Sequence, residues 1–245
     1  MDQHKDIINE QQLNLVGQCS SSDARPPKTR NFVVVFDIDN TLCKNIVSRE
    51  NVEFASEYHP ECPIIEWNGY SHLFLPHLQI LFHYLLDKGG RIVFFSSAVE
   101  ERNVSVIPEL LTSFWGDEKY RALKSKGQFD IFSKAHTRNG IENTKEGNYV
   151  KDLRVVLRDG ESLSDVILVE DDHSATASDQ QPFLNIIDLF NWVLWDQGKD
   201  EDDLGFNYDF AMNSTYYMLG VFKTCLLYTS PSPRDRTRSR MPSSA

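Results

Sequence analysis

The chain has 245 residues, of which 40% are hydrophobic and 25% charged, and its formal net charge is −11 at pH 7. That length suits one α/β domain with insertions better than two full domains, and the apolar content suffices for a sizeable core. So acidic a chain is repelled by a phosphate backbone, which argues against direct nucleic-acid binding, and no apolar run of about 18 residues is present to span a membrane.

Residues 1–30 are rich in Gln, Ser and Pro, the composition of a disordered leader, and Met1 to Glu10 lack the apolar stretch of a secretory signal. Phe32-Val33-Val34-Val35-Phe36 is a β-branched and aromatic run of the kind that forms a buried parallel strand. Pro63 to Phe74 carries Asn68-Gly69 between apolar flanks, which predicts a β-hairpin inserted after that strand. From Leu75 the spacing turns helical: Leu78, Leu81, Phe82 and Leu85 share one face, and Gly89-Gly90 end it. Arg91 to Phe95 reads as a second buried strand, and Glu100 to Phe114 as a helix kinked or restarted at Pro108. Asp130-Ile131-Phe132-Ser133 and the polar Thr137-Arg138-Asn139-Gly140 suggest another hairpin or a lid. Val166-Ile167-Leu168-Val169 reads as a third buried strand.

Trp192, Trp195, Phe206, Tyr208 and Phe210 suggest the packing of a C-terminal helical layer, with a final helix near Tyr216 to Lys223. From Cys225 onward the acidic style gives way to Ser, Pro and Arg, and residues 224–245 resemble translated sequencing-adapter read-through. They are set aside as a non-native tail, the alternative being a basic tail for an acidic partner. Strands alternating with helices imply crossover connections. The expected fold is therefore α/β: a Rossmann-like parallel sheet over residues 31–223, helices on both faces, a hairpin insertion after the first strand and no large cap domain.

Cys19, Cys43, Cys62 and Cys225 form no CxxC pair, so no zinc knuckle or redox centre is expected, and their low density points to a reducing compartment, cytoplasmic or nuclear. His59, His72, His77, His83, His136 and His173 show no HxH or HxxxH pattern and read as structural or exposed.

Asp37 and Asp39 follow the first strand, and residues two apart in an extended chain point to the same face. Two carboxylates so close are hard to ionise together without a cation, and an all-oxygen set favours Mg²⁺. Alone, such a pair also reads as a turn or a helix cap. Phe36-Asp37-Ile38-Asp39-Asn40-Thr41-Leu42 as a whole resembles the first motif of the haloacid dehalogenase superfamily. The resemblance implies that Asp37 is the nucleophile and Asp39 the general acid and base, with the Asp39 backbone carbonyl on the metal and Thr41 at the phosphate and steadying the turn.

Phe94-Phe95-Ser96-Ser97 supplies a hydroxyl at the second strand's end, and the resemblance makes Ser96 a phosphate contact; by itself it reads equally as a helix N-cap. Val169-Glu170-Asp171-Asp172 matches the acidic motif that completes the metal site, with Asp171 the favoured ligand and Glu170 and Asp172 the register alternatives. Asn148-Tyr149-Val150-Lys151-Asp152-Leu153, with Arg158-Asp159, resembles the small RNA polymerase II C-terminal-domain phosphatases, the NLI-interacting-factor-like family, and makes Lys151 the phosphate-binding cation. Two features depart from that pattern: Asp172-His173-Ser174-Ala175 stands where the family often has Ser-Pro after its acids, and Asn143-Thr144-Lys145-Glu146 lengthens the segment before Lys151.

The function expected is a Mg²⁺-dependent phosphomonoester hydrolase working through an aspartyl-phosphate on Asp37, with a phosphorylated protein or peptide as its partner, and acting as a monomer. The rival readings are a catalytically silent interaction module of the same fold, and a small-molecule or polynucleotide phosphatase.

Overall fold

A computed structural model describes residues 32–46, 49–58, 60–138, 149–172, 175, 184–185 and 213–224. The expected leader, the aromatic residues from Trp192 to Phe210, and the tail after residue 224 lie outside these.

Strand β1 (Phe32–Phe36) is buried at every position and sits at the centre of a parallel sheet. It pairs on one side with β5 (Gly90–Phe95), in the register Val33↔Arg91 and Phe36↔Phe94. On the other side it pairs with β7 (Val166–Glu170), in the register Val33↔Val166 and Phe36↔Val169. The outer neighbours are β6 (Phe129–Phe132) and the two-residue β8 (Leu184–Asn185), giving the order β6-β5-β1-β7-β8. A parallel strand buried on both faces reads as an unbroken apolar run, which is why β1, β5 and β7 stood out in the sequence.

Alternation splits these strands between two cores. Phe32, Val34, Phe36, Ile92 and Phe94 pack with α2 (Leu78–Asp87), α3 (Glu100–Ser125) and Met218, Leu219 and Phe222 of a helix over 213–224. Val33, Val35, Val93, Phe95 and Leu168 pack instead with Leu153 and Val156 of a 3-10 turn (Leu153–Val156). Leu78, Leu81, Phe82 and Leu85 are the buried face of α2, as their spacing predicted. Gly90 at the start of β5 is itself a packing requirement, since a Cβ there would lie 2.7 Å from the Phe32 ring.

The predicted hairpin is β3 (Ile64–Trp67) and β4 (Tyr70–Phe74), closed by Asn68 and Gly69 at φ 48° and 79°. Positive φ at both central residues is the turn geometry that Asn-Gly favours. A third strand, β2 (Cys43–Ile46), pairs with β4 and makes the insertion a three-stranded antiparallel sheet, followed in the chain by α1 (Arg49–Tyr58).

Two expectations are corrected. Asp130 to Phe132 pairs in the main sheet and not as a hairpin strand: β6 runs parallel to β5, Val93 opposite Asp130, because Phe129 and Ile131 complete the apolar surface beside Phe94, while Asn139 and Gly140 of the lid alternative lie outside the described residues. Helix α3 does not break at Pro108. Losing the proline N–H affects only the carbonyl of half-exposed Val104, where water can replace it. The break is at Gly116 (φ 75°, ψ 161°), a conformation that only glycine enters readily, and the helix resumes to Ser125. No helix among the described residues is long and apolar enough to cross a membrane.

Candidate active site

The site grows from the carboxyl ends of β1, β5 and β7, where the chain order switches from one side of β1 to the other and open α/β sheets leave a crevice. The Asp37 N–H donates to the Val169 carbonyl at 2.9 Å, so Asp37 is still in ladder register with β7. Ser96 is held likewise by its N–H on the Phe132 carbonyl at 3.3 Å. After Asp37 the chain reverses through Asn40 at φ 61°, with the Leu42 N–H on the Ile38 carbonyl at 2.9 Å. Asparagine tolerates this left-handed conformation better than most residues, so the turn that carries Asp39 follows from the local sequence.

Lys151 is 2% exposed, and its ammonium donates to Asp37 Oδ1 and Glu170 Oε2, both also buried. Asp37, Glu170 and Asp171 each offer a carboxylate oxygen within 4.8 Å of the others. Three carboxylates and one ammonium leave a surplus of negative charge. Burial, opposed by Lys151 and reinforced by Asp39, pushes the Asp37 carboxyl up to about 6. Burial and the Asp37 charge push Glu170 up to about 8. Burial would lower the Lys151 ammonium, but its two carboxylate partners hold it above its ordinary value. An all-oxygen trio with unneutralised charge fits a hard divalent cation such as Mg²⁺.

Asp39 is held apart from this group, by a different cation. Arg102, in the first turn of α3, grips both carboxylate oxygens, with Nη2 to Oδ2 at 2.7 Å. Ser96 Oγ donates to the same Oδ2 at 2.7 Å. Burial would raise the Asp39 carboxyl, yet Arg102 and Ser96 together hold it below the usual carboxylate range. The buried imidazole of His72 has Nδ1 3.3 Å from the Ile65 carbonyl, and burial and the Arg102 charge hold its pKa down.

Thr41 is fully buried and donates its hydroxyl proton to Asp171 Oδ1 at 2.9 Å. It therefore orients a carboxylate of the acidic trio. Asp172 is not in the trio.

The sequence placed all of these residues in one site; the structure divides them, with Asp37, Lys151, Glu170 and Asp171 in one cluster and Asp39 and Ser96 in another around Arg102, a residue that sequence reasoning missed. Arg102 sits within Glu100-Glu101-Arg102, which looks like a solvated helix start. Its signal was the spacing Arg102, Val106, Leu110, which puts it on the buried stripe of α3. His72, read from the sequence as structural or exposed, is the buried structural histidine of the hairpin.

The family model of the NLI interacting factor-like phosphatases matches residues 32–206. The chain belongs to that family. Asp37, Ser96, Lys151, Glu170 and Asp171 all fall within the matched span. No curated protein matches significantly. Among solved structures, the chain is similar to Fcp1, an essential RNA polymerase II CTD phosphatase, with a TM-score of 0.40 and 12% identity over 84% of this chain and 56% of that one. It is similar also to an arginine variant of fission yeast Fcp1 bound to beryllium fluoride, with a TM-score of 0.39 and 12% identity over 82% of this chain and 56% of that one. The chain thus spans little more than half the length of the solved structures it matches.

Proposed function

We propose that this member of the NLI interacting factor-like phosphatases hydrolyses phosphoserine or phosphothreonine esters through a phosphoaspartate on Asp37. The observation that carries the reading is the buried Lys151 ammonium between Asp37 and Glu170, with Asp171 alongside. Asp37, Asp171 and Glu170, with the backbone carbonyl of Asp39, would hold Mg²⁺. When bound, the cation supplies charge neutralisation for the phosphate and for the nucleophile.

In the first step an Asp37 oxygen attacks phosphorus in line, the P–O bond to the alcohol breaks, and Asp39 gives the leaving oxygen a proton. In the second, Asp39 takes a proton from water, whose oxygen attacks phosphorus and releases inorganic phosphate and free Asp37. Ser96 donates to a phosphate oxygen, Lys151 balances charge, and Thr41 keeps Asp171 turned toward the trio. The working state requires Asp39 to leave Arg102, because a carboxylate gripped by guanidinium is a poor proton donor. A monomer acting in the cytoplasm or nucleus is the context that the charge and the cysteines support.

The test is a phosphatase screen with Mg²⁺, phosphopeptides against small phosphates, and Asp37→Asn as control. Phosphopeptide turnover that vanishes in the control is the expected result. Preference for small phosphates would reassign the substrate, and no turnover of any ester by folded, Mg²⁺-bound protein would assign the silent module.

A further inference from the structure

Arg102 enters the chemistry just described only as the partner that Asp39 leaves, yet it is held from two sides. On one side, Nε and Nη2 donate to Asn103 Oδ1 at 3.0 and 2.8 Å. Asn103 is fully buried, and its Nδ2 donates to the Phe132 carbonyl at the end of β6 at 3.1 Å. On the other side the guanidinium grips Asp39. The first anchor belongs to the core. The second is a side chain 32% exposed, on the turn after β1. The guanidinium thus keeps its place and direction if Asp39 swings away.

We propose that Arg102 is a phosphate-binding residue and that the Asp39 carboxylate occupies its fork until a phosphate arrives; the proposal rests on reading Ser96 as a phosphate contact. Ser96 Oγ lies 3.0 Å from Arg102 Nη2 and 2.7 Å from Asp39 Oδ2. A single carboxylate oxygen therefore already bridges the hydroxyl and the guanidinium, as a phosphate oxygen would. The bidentate carboxylate is the protein's own analogue of two phosphate oxygens, and the arginine fork matches both. Lys151 is committed to Asp37 and Glu170. Arg102 is a second buried cation at the site, and its partner is on a turn that can yield. The exchange makes and breaks hydrogen bonds only. It frees Asp39 when the phosphate is seated, which is when the leaving oxygen needs it.

The experiment is calorimetric titration of the full chain with inorganic phosphate, Mg²⁺ present, in four proteins: the parent, Arg102→Met, Asp39→Asn, and Asp39→Asn with Arg102→Met. Arg102→Met is expected to weaken phosphate binding by roughly tenfold to a hundredfold, the worth of charge-assisted hydrogen bonds. Asp39→Asn removes the competing anion and is expected to tighten binding, the opposite of losing a ligand. The tightening should vanish in the double variant, which leaves no buried carboxylate unpaired and so stays testable if Arg102→Met alone fails to fold. Asp39→Asn binding phosphate no better than the parent overturns the proposal. So does a gain of equal size in the Arg102→Met background, since that gain is long-range charge alone. Ester hydrolysis is followed separately: no turnover with the binding pattern intact removes the aspartyl-phosphate reading only, and turnover with phosphate affinity indifferent to Arg102 removes this proposal only.

Discussion

Thr41 donates its hydroxyl to Asp171 at 2.9 Å, joining the turn after β1 to the end of β7 across 130 residues of sequence. The bond fixes which way the Asp171 carboxylate faces. Thr41→Val keeps the shape and removes the donor, so it should cost little stability while weakening Mg²⁺ affinity by roughly tenfold, as losses of outer-shell partners do. Calorimetric Mg²⁺ titration measures this, and unchanged affinity would separate Thr41 from the metal site.

Lys151 is buried with two carboxylates, and removing it leaves both without their counter-charge. Lys151→Met should destabilise the protein by roughly 3–5 kcal/mol, the usual result of breaking a buried pair from one side. Urea denaturation reads the loss, and Mg²⁺ should recover part of it. A variant as stable as the parent would mean that the acids had simply taken up protons.

The raised acids also set a pH dependence. Asp37 and Glu170 move from 3.8 and 4.5 to about 6 and about 8, so between those limits the folded state holds protons that the unfolded chain has released. Stability is then greatest below the unfolded values and declines as pH rises through the folded ones. Asp39 acts with the opposite sign, its contribution being lost only as pH falls through its depressed value. In chelator the melting temperature should fall between about pH 5 and about pH 8, and the stabilisation by Mg²⁺ should be larger at the upper end. A Mg²⁺ effect independent of pH would count against the trio as the metal site.

Most of this framework was legible in the sequence, for a physical reason. Strands buried on both faces must be apolar throughout, and Phe32 to Phe36, Arg91 to Phe95 and Val166 to Val169 are nearly so. Asn68-Gly69 spelled its own turn. Strand β2, by contrast, is Cys-Lys-Asn-Ile, and Lys and Asn are poor strand formers; it exists because β4 offers a pairing edge. Helix α1, Arg-Glu-Asn-Val-Glu-Phe-Ala-Ser-Glu-Tyr, has few apolar positions to mark a face, and β6 shows that a short apolar run cannot announce its partner. The Arg102 contact was hidden because no local rule pairs a helix arginine with an aspartate 63 residues earlier.

Asn40 tests the turn between the two aspartates. At φ 61° a β-branched side chain is strained, so Asn40→Val should cost about 1–2 kcal/mol while Asn40→Gly stays close to the parent in stability. Turnover should fall in the valine variant more than stability alone explains, because the turn aims Asp39. Denaturation and kinetics on the same preparations distinguish these effects.

Strand β1 pairs on both sides with strands that arrive much later in the chain, β5 from Gly90 and β7 from Val166. During synthesis Asp37 would emerge on a strand with no neighbours, and the Asp171 carboxylate would follow only after more than a hundred further residues. Long-range parallel pairing forms slowly, because loop closure comes before its reward. The carboxylates and Lys151 would therefore come together only as the sheet closes, and a nascent chain stalled before residue 166 would present Asp37 on an apolar strand with one open edge, a target for chaperones long before its site was complete.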